Sequence, residues 1–367
     1  MKLYIIAGEA SGDLHGSNLI KALRARKSDL EIRAWGGDLM QAEGAELVKH
    51  YRELAFMGFL EVAMNLRTIL GNMKMCKQDI LDWKPDAIIL IDYPGFNLRI
   101  AEFAHAQGIK VLYYISPQVW AWKRGRVQKI KKVVDRMFVI LPFEKEFYAQ
   151  YNYDVEDVGH PLLDAIGDLN DKPSIEVSGK KIIALLPGSR LQEVEKMLQV
   201  MLTMVPRFPE CKFVIAAAPS LPEEALQRIV AGSDVEIRHG DTYGLLQEAH
   251  AALVTSGTAT LETALFDVPE VVCYKGGQVS YLIARQLIKV EYISLVNLIM
   301  KREVVKELIQ SELNEKNLHR ELKNIVEDEA ARARITTDYR ELRTLLGGKG
   351  ASQRAADAML KTLEDSN

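Results

Sequence analysis

Asp92, Arg190 and the stretch Ser256–Glu262 hold the residue types from which a group-transfer site can be built. In 251–265, AALVTSGTATLETAL, Ala251–Val254 suit a short buried strand, Ser256-Gly257-Thr258 make a tight turn, and a helix opens at 259. A helix start presents backbone N–H groups that lack intrahelical partners, so it attracts anions. Thr258 is placed to cap that helix, and Gly257 lets a phosphate approach the backbone closely. Glu262 lies one helical turn beyond Thr258 on the same face, where its carboxylate can accept hydrogen bonds from the two hydroxyls of a ribose. The plain alternative is a strand–turn–helix corner with a surface glutamate. The turn 187–190, PGSR, follows a strand at 181–186 and precedes a helix starting near Gln192. It lacks the Gly-Lys-Ser/Thr of a P-loop, and Arg190 beside Gly188 and Ser189 suits a diphosphate instead. Asp92 ends the apolar strand 86–91, where open α/β sheets bind ligands, and a carboxylate there is a natural general base. Its alternatives are a cap for the next helix or a buried salt-bridge partner.

These groups need elements to hold them. Leu3–Ala7 reads as a first strand, 8–13 (GEASGD) as a turn, and 14–24 as a helix with Leu19, Ile20 and Leu23 on one side. Glycines 8, 12 and 16 do not have the G-x-G-x-x-G spacing, so no dinucleotide fingerprint is present. Glu9 and Asp13 serve either a site or a helix cap. Further strands are expected at 111–115, 137–141, 212–218 and 235–238 and from Val271, with short helices at 242–248 and 280–288. Lys301–Ile309 and the remainder of the chain read as helical. Strand, small-residue turn and helix occur at 3–24 and again from 181, so two domains of similar build are the economical inference, joined by a polar linker at 167–179. The length of 367 residues agrees with two domains.

Two segments are less ordinary. In 54–76, Leu60, Ala63, Leu66, Ile69 and Leu70 recur with helical spacing between Glu61, Asn65 and Arg67. This is either a core helix or a partly exposed apolar helix that meets lipid or acyl chains. Downstream, Trp120 and Trp122 precede Lys123, Arg124, Arg126, Lys129, Lys131, Lys132 and Arg136. That combination suits an anionic membrane surface or a phosphorylated acceptor, or a solvated helix face. The net charge of −3 gives no general drive toward nucleic acid, and no aromatic-rich strand motif supports such a partner. The 3 cysteines show no metal-ligand or redox spacing and fit a reduced, cytoplasmic setting. No run of about 20 apolar residues is present to span a bilayer. His160 reads as structural. Asn297, set among Leu, Val and Ile, is held for a hydrogen bond or satisfies the backbone of a turn.

Taken together, GEASGD at 8–13, MGFLEV at 57–62, SPQVWAW at 116–122, LPFEKEFY at 141–148, LLPGSR at 185–190, SGTATLE at 256–262, YISLVNL at 292–298 and VVKELIQ at 304–310 resemble the lipid-A-disaccharide synthase family. The resemblance implies an α/β fold of the GT-B architecture, two Rossmann-like domains facing a cleft. It places an acceptor- and membrane-facing domain at 1–168, a UDP-sugar-binding domain at 169–340 and a helical segment at 341–367. That last segment packs back on an N-terminal domain or is exchanged within a homodimer. The implied reaction joins UDP-2,3-diacylglucosamine to 2,3-diacylglucosamine 1-phosphate, giving a β-1,6-linked disaccharide and UDP, peripherally at the cytoplasmic face of the inner membrane. The family pattern assigns Asp92 as catalytic base, with Glu9 and Ser11 lining the cleft. It assigns Arg190, Glu262 and Asn297 to the UDP-sugar, with Gly188, Ser189, Ser256, Gly257, Thr258, Glu307 and Gln310 beside them. The apolar helix with Leu60, Val62, Ala63, Leu66, Ile69 and Leu70 would meet membrane and acyl chains. Two positions depart from the pattern: Gly95 stands where a second acid is frequent, and Val296 where a proline is common.

The sequence contains no Asp-x-Asp, the usual metal-binding pair of such enzymes, so leaving-group stabilisation without a metal cofactor is favoured. Two other readings stay open. One is a different UDP-sugar enzyme of the same architecture, such as a UDP-N-acetylglucosamine 2-epimerase. The other is a non-catalytic nucleotide-binding protein that docks at membranes.

Overall fold

The computed structural model describes residues 1–54, 66–122, 124–167, 179–219, 221–277 and 291–365. Leu60, Val62, Ala63, the side chain of Leu66, Lys123, most of the expected linker and all of the expected helix 280–288 lie outside the described residues.

The chain divides into two compact units, Met1–Gly167 with Leu346–Asn367, and Asp168–Leu345. The first contains β1 (Lys2–Ala7), β2 (Glu31–Gly36), β3 (Glu46–His50), β4 (Ala87–Ile91), β5 (Lys110–Tyr114), β6 (Arg136–Val139) and β7 (Glu156–Asp157). They form one parallel sheet in the order β3-β2-β1-β4-β5-β6-β7. The second contains β8 (Lys181–Leu186), β9 (Cys211–Ala217), β10 (Val235–His239), β11 (Ala251–Thr255), β12 (Glu270–Tyr274) and β13 (Lys306–Ile309). Its order is β10-β9-β8-β11-β12-β13, also parallel throughout. Right-handed crossovers combined with this reversal of strand order put helices on both faces of each sheet. Strands covered on both faces read as continuous apolar runs, and Leu3–Ala7 and Ala87–Ile91 are completely buried. The expected α/β class with two similar halves is therefore the observed one.

Each sheet reverses its order once. In the first unit the reversal lies between β1 and β4, aligned Ala7 with Ile91, so Gly8 and Asp92 leave neighbouring strands at one level. In the second it lies between β8 and β11, aligned Leu186 with Val254, which brings the 187–190 and 256–258 turns side by side. At such points the successive connections diverge and leave a crevice beyond the carboxyl ends of the strands.

One expected element is different in type. Lys306–Ile309 is an edge strand, not part of a helix, and it pairs with β12 from Val271–Lys306 to Tyr274–Ile309. The apolar spacing of VVKELIQ suits either period; pairing with the open edge of β12 decides for the strand. The boundary expected after residue 340 falls inside the helix Glu329–Leu345, which stays in the second unit to its end.

The segment 54–76 also resolves in part. From Leu66 to Trp83 the chain is helical, with Met73, Cys76 and Ile80 buried as a stripe, so this part is core. Leu70, by contrast, is 54% exposed, and Ile69 is intermediate. None of the helices among the described residues is long and apolar enough to cross a membrane.

The last helix, Ala351–Glu364, packs in the first unit against the helix Ala10–Arg26. Arg26 pairs with Asp357 at 2.6 Å, and Arg354 donates to the Val158 carbonyl. Asp164 accepts from the backbone N–H groups of Gly350 (2.6 Å) and Ser352 (2.7 Å) at the start of this helix. A carboxylate at a helix start meets both unpaired N–H groups and the positive end of the dipole. Replacing Asp164 with Ala should therefore cost about 2 kcal/mol in urea unfolding. It should also raise amide exchange in 351–364 before the rest of the first unit; uniform protection would show that the helix is held by its apolar face alone.

Candidate active site

In the first unit the chemistry gathers where β1 and β4 end. Gly8 has no room for a side chain, because a Cβ there would run into the Tyr93 ring. Asp92 and Tyr93 both adopt left-handed backbone, with φ of 43° and 47°. Such values are rare outside glycine, and they mark a site the surroundings must enforce. Asp92 carries neither of its alternative roles. Tyr93 occupies the N-cap of the helix Pro94–Ala106 without any side-chain cap, and among the described residues no cation pairs with Asp92. Residue 92 is exposed at the carboxyl end of β4, although the protein around its carboxyl group takes away part of its water. Loss of hydration there, with the negative charge of Glu9 beside it, pushes its pKa up to about 7. Glu9 itself is half-buried, at the N-cap of the helix Ala10–Arg26 without capping it, and Ser11 is exposed in the first turn.

Asp13 is different. It is buried and accepts from the backbone N–H groups of Gly37 (2.8 Å), Leu39 (3.1 Å) and Met40 (3.0 Å), so it caps the helix Asp38–Ala42 and belongs to the scaffold.

Three residues without a role in the sequence reading organise this end of the sheet. Tyr113 donates its hydroxyl to the Asp92 carbonyl at 2.6 Å. Asn97, fully buried, directs its amide nitrogen at the carbonyls of Asp92 (2.9 Å), Ile91 (3.2 Å) and Ile6 (3.4 Å). Glu144, also buried, accepts from Ile140 N (3.1 Å) and Leu141 N (2.9 Å), while Ser116 Oγ meets Tyr148 Oη at 2.6 Å. Thus the 116–122 and 141–148 stretches brace one another. Burial outweighs these hydrogen bonds and pushes the Glu144 pKa up to about 7. An isolated polar residue in an apolar helix, as in FNLRIA at 96–101, was the available signal for Asn97.

The basic run is less uniform than its sequence. Lys129 pairs with Glu102, Lys131 donates to the Tyr151 carbonyl, and Arg136 pairs with Asp154 and Glu156. Arg124 and Arg126 instead lie over the rings of Phe147 and Trp122, at 5.9 and 5.8 Å from their centroids. His160 is buried and its Nδ1 accepts from Leu162 N, a structural use.

In the second unit the turns after β8, β11, β12 and β13 lie at one end of the sheet. Gly188 has φ of 102°, a conformation that favours glycine, and Arg190 occupies the N-cap of the helix Leu191–Met201. The Arg190 guanidinium is about half exposed and meets Glu193 at 3.1 Å. The helix after β11 runs from Thr258 to Leu265; Gly257, not Thr258, is its N-cap, and no side chain caps it. Its first N–H groups thus remain available to an anion. Ser256 donates to the Ile293 carbonyl at 2.9 Å and ties this corner to the 291–294 loop. Glu262 is only half-buried by area, but it accepts from Tyr243 Oη at 3.0 Å, and desolvation raises its pKa.

Asn297 and Glu307 come together inside the protein. Asn297 is fully buried: its oxygen accepts from Val304 N and Val305 N, and its nitrogen donates to Val305 O and Glu307 Oε1. Glu307 also accepts from Ile293 N and Ser294 N. Both residues thus shape the loop from within. Gln310 has φ of 54°, and its buried Nε2 has no hydrogen-bond partner among the described residues. A Cβ at Gly276 would stand 3.1 Å from Tyr274 Oη and 3.5 Å from that nitrogen. The charges of Arg190 and Glu193 both act on the Tyr274 hydroxyl, which places 190, 274 and 310 in one neighbourhood.

Residues 3–362 match the family described as lipid-A-disaccharide synthetase. A lipid-A-disaccharide synthase of Syntrophus aciditrophicus (strain SB) is 42% identical over 375 residues, covering 99% of this chain and 98% of the relative. Among solved structures, the UDP-GlcNAc 2-epimerase of Neisseria meningitidis bound to UDP-GlcNAc superposes with a TM-score of 0.68 at 13% identity, covering 98% of this chain and 100% of that one. A glycosyltransferase of kitacinnamycin gives 0.67 at 15%, covering 99% of each chain. These two likenesses share the fold with this chain.

Two outcomes follow from the geometry. A carbon-13 titration of the carboxyl groups should find Asp92 near pH 7, and Glu9→Gln should move its midpoint down. A folded pKa above the unfolded one means that stability falls as pH rises from about 4 through 7, so Asp92→Asn should be the more stable protein above pH 7. A wild-type midpoint near 4 would show a fully hydrated carboxylate. Separately, Asn297→Ala strands the N–H groups of Val304 and Val305 and should cost about 3 kcal/mol or more in chemical denaturation.

Proposed function

Because this chain belongs to the lipid-A-disaccharide synthetase family, we propose that it joins UDP-2,3-diacylglucosamine to 2,3-diacylglucosamine 1-phosphate. The products are the β-1,6-linked disaccharide 1-phosphate and UDP. The observation that carries the chemistry is Asp92: a carboxylate at the carboxyl end of β4, with no cation partner among the described residues and a pKa near 7. A general base works best when its pKa is close to the working pH. Asp92 takes the proton of the acceptor's 6-hydroxyl as that oxygen attacks the anomeric carbon. Attack opposite the leaving group inverts the configuration there. Glu9 keeps the Asp92 carboxylate basic, and Ser11, exposed nearby in sequence, offers a hydroxyl to a sugar.

The departing UDP gains negative charge. Arg190, with Gly188 and Ser189 in its turn, and the uncapped helix start at Ser256-Gly257-Thr258 receive that charge. One preorganised donor of this kind is worth about 3 kcal/mol, or ~10²-fold in rate. Glu262 accepts from the ribose hydroxyls, and Gln310 offers the nucleotide a nitrogen that has no partner among the described residues. Asn297 and Glu307 act one step away, by holding the 291–310 backbone that borders the site.

Both substrates carry acyl chains, so the enzyme works peripherally at the cytoplasmic face of the inner membrane. Exposed Leu70 and Met75 on the helix Leu66–Trp83, and Trp122 beside Arg126, support this reading. Ile69, with Leu60, Val62, Ala63 and Leu66 before it, continues the apolar character of that segment. The contacts of Ala351–Glu364 with the first unit are compatible with exchange of this segment in a homodimer, since the same bonds form in either arrangement. The epimerase reading gains no support beyond the shared fold, because its likeness is 13% in sequence.

The deciding assay measures UDP released from UDP-2,3-diacylglucosamine with and without the monosaccharide phosphate. Release that depends on both is expected; turnover of the sugar nucleotide alone would point to an epimerase or hydrolase. Asp92→Asn should cut turnover by about 10³-fold to a measurable residual rate with UDP binding retained, and Arg190→Ala should weaken UDP binding and slow turnover by about 10²-fold. Leu70→Ser should reduce sedimentation with anionic vesicles without lowering the thermal midpoint; unchanged sedimentation would leave this face no lipid role.

A further inference from the structure

We propose that Asn97 and Tyr113 are positioning residues for Asp92: together they clamp its backbone carbonyl and so set the direction in which its carboxylate leaves the sheet. The inference rests on the reading of Asp92 as the base and adds to it the device that aims the base.

The backbone is the starting point. Side chains alternate across a strand, so a residue continuing β4 beyond Ile91 in extended form would point its side chain into one of the helix layers. Asp92 does not continue the strand. Its φ of 43° and that of Tyr93, 47°, turn the chain through two successive left-handed residues, and the Asp92 side chain ends up accessible. Each left-handed residue other than glycine costs roughly 1–2 kcal/mol, so a pair persists only where neighbours over-determine it. The glycine that usually relieves such a turn is absent at both positions.

The neighbours are specific. Tyr113 Oη stands 2.6 Å from the Asp92 carbonyl oxygen and Asn97 Nδ2 stands 2.9 Å from it. The same Asn97 nitrogen reaches Ile91 O at 3.2 Å and Ile6 O at 3.4 Å, so one amide spans the carboxyl ends of both β1 and β4. In the peptide before it, on the other side of the Asp92 Cα, Asp92 N donates to Tyr114 O at 3.2 Å and anchors the turn to β5. The Asn97 and Tyr113 side chains are fully buried, which locks their own rotamers. A helix and a strand therefore hold one carbonyl, which fixes the direction of the Cα–Cβ bond that carries the carboxylate. A merely structural role for these groups predicts lost stability; a positioning role predicts lost turnover with binding intact.

Tyr113→Phe is the cleanest test, since it removes one hydroxyl and keeps the ring in place. Asn97→Ser, smaller and unable to span three carbonyls, is the second variant. For Tyr113→Phe we expect kcat to fall by about 10- to 100-fold, the range that a small misplacement of a reacting group produces. The KM values of both substrates and the UDP dissociation constant should stay within about twofold of wild type. In the double variant Asp92→Asn/Tyr113→Phe, the loss should be no greater than in Asp92→Asn alone, because a clamp has nothing to aim once the base is gone. Wild-type kcat in folded Tyr113→Phe, or additive losses in the double variant, would overturn the proposal. Should Asp92→Asn itself keep normal turnover, the base assignment fails first. A severely slowed Asp92→Asn beside a fully active Tyr113→Phe would refute the clamp alone.

Discussion

A parallel strand buried on both faces delivers its chain to one edge of the sheet, and only there can backbone and side chains meet a ligand. In both units that edge is used where the order of connection reverses, between β1 and β4 and between β8 and β11. The alignments Ala7–Ile91 and Leu186–Val254 bring the paired turns to a common level. This geometry asks unusual things of the backbone. Gly8 lies under the Tyr93 ring, Gly188 and Asp92 turn left-handed, and the helix at Thr258 starts without a cap. Asp92, Tyr93, Ile115 and Gln310, all with positive φ, follow the carboxyl ends of strands, where strain can be tolerated for function.

The same edge explains why several acids that look alike in sequence do different work. Loops that close over a sheet carry backbone N–H groups that need acceptors once water is excluded. Asp13, Glu144, Asp164 and Glu307 answer that need, each accepting from at least two backbone N–H groups. Asp92 meets only the backbone N–H of Tyr93 among the described residues, and Glu262 a single tyrosine hydroxyl. Residual acceptor capacity, set at the crevice, separates the groups able to act on a substrate from those that hold the frame. Asn297 belongs with the frame, since both its oxygen and its nitrogen are engaged internally.

Fold and activity are separable here. The architecture is shared with an epimerase and with a glycosyltransferase at 13% and 15% identity, so it is the side chains set on that architecture that distinguish the reactions.

Much of this was legible in the linear chain. Apolar runs bounded by small-residue turns located β1, β4, β8 and β11, and the helix Thr242–Glu248 matched its expected limits, because strong periodicity and turn chemistry are local properties. Asp92, Arg190 and the Ser256–Glu262 corner stood out for the same reason: each lies directly after a recognisable strand. What local pattern left undetermined was decided by partners distant in sequence. Lys306–Ile309 became a strand because β12 offered an open edge. Thr258 ceded the cap to Gly257, and Asn297 and Glu307 turned inward because a buried loop needed acceptors. Asn97 and Tyr113 acquired their roles only when segments 91 and 21 residues apart were laid side by side. Residue type and spacing determine which chemistry a chain can hold; which group keeps its hydrogen-bonding capacity for a substrate is a property of the packed structure, because burial assigns partners that sequence distance conceals.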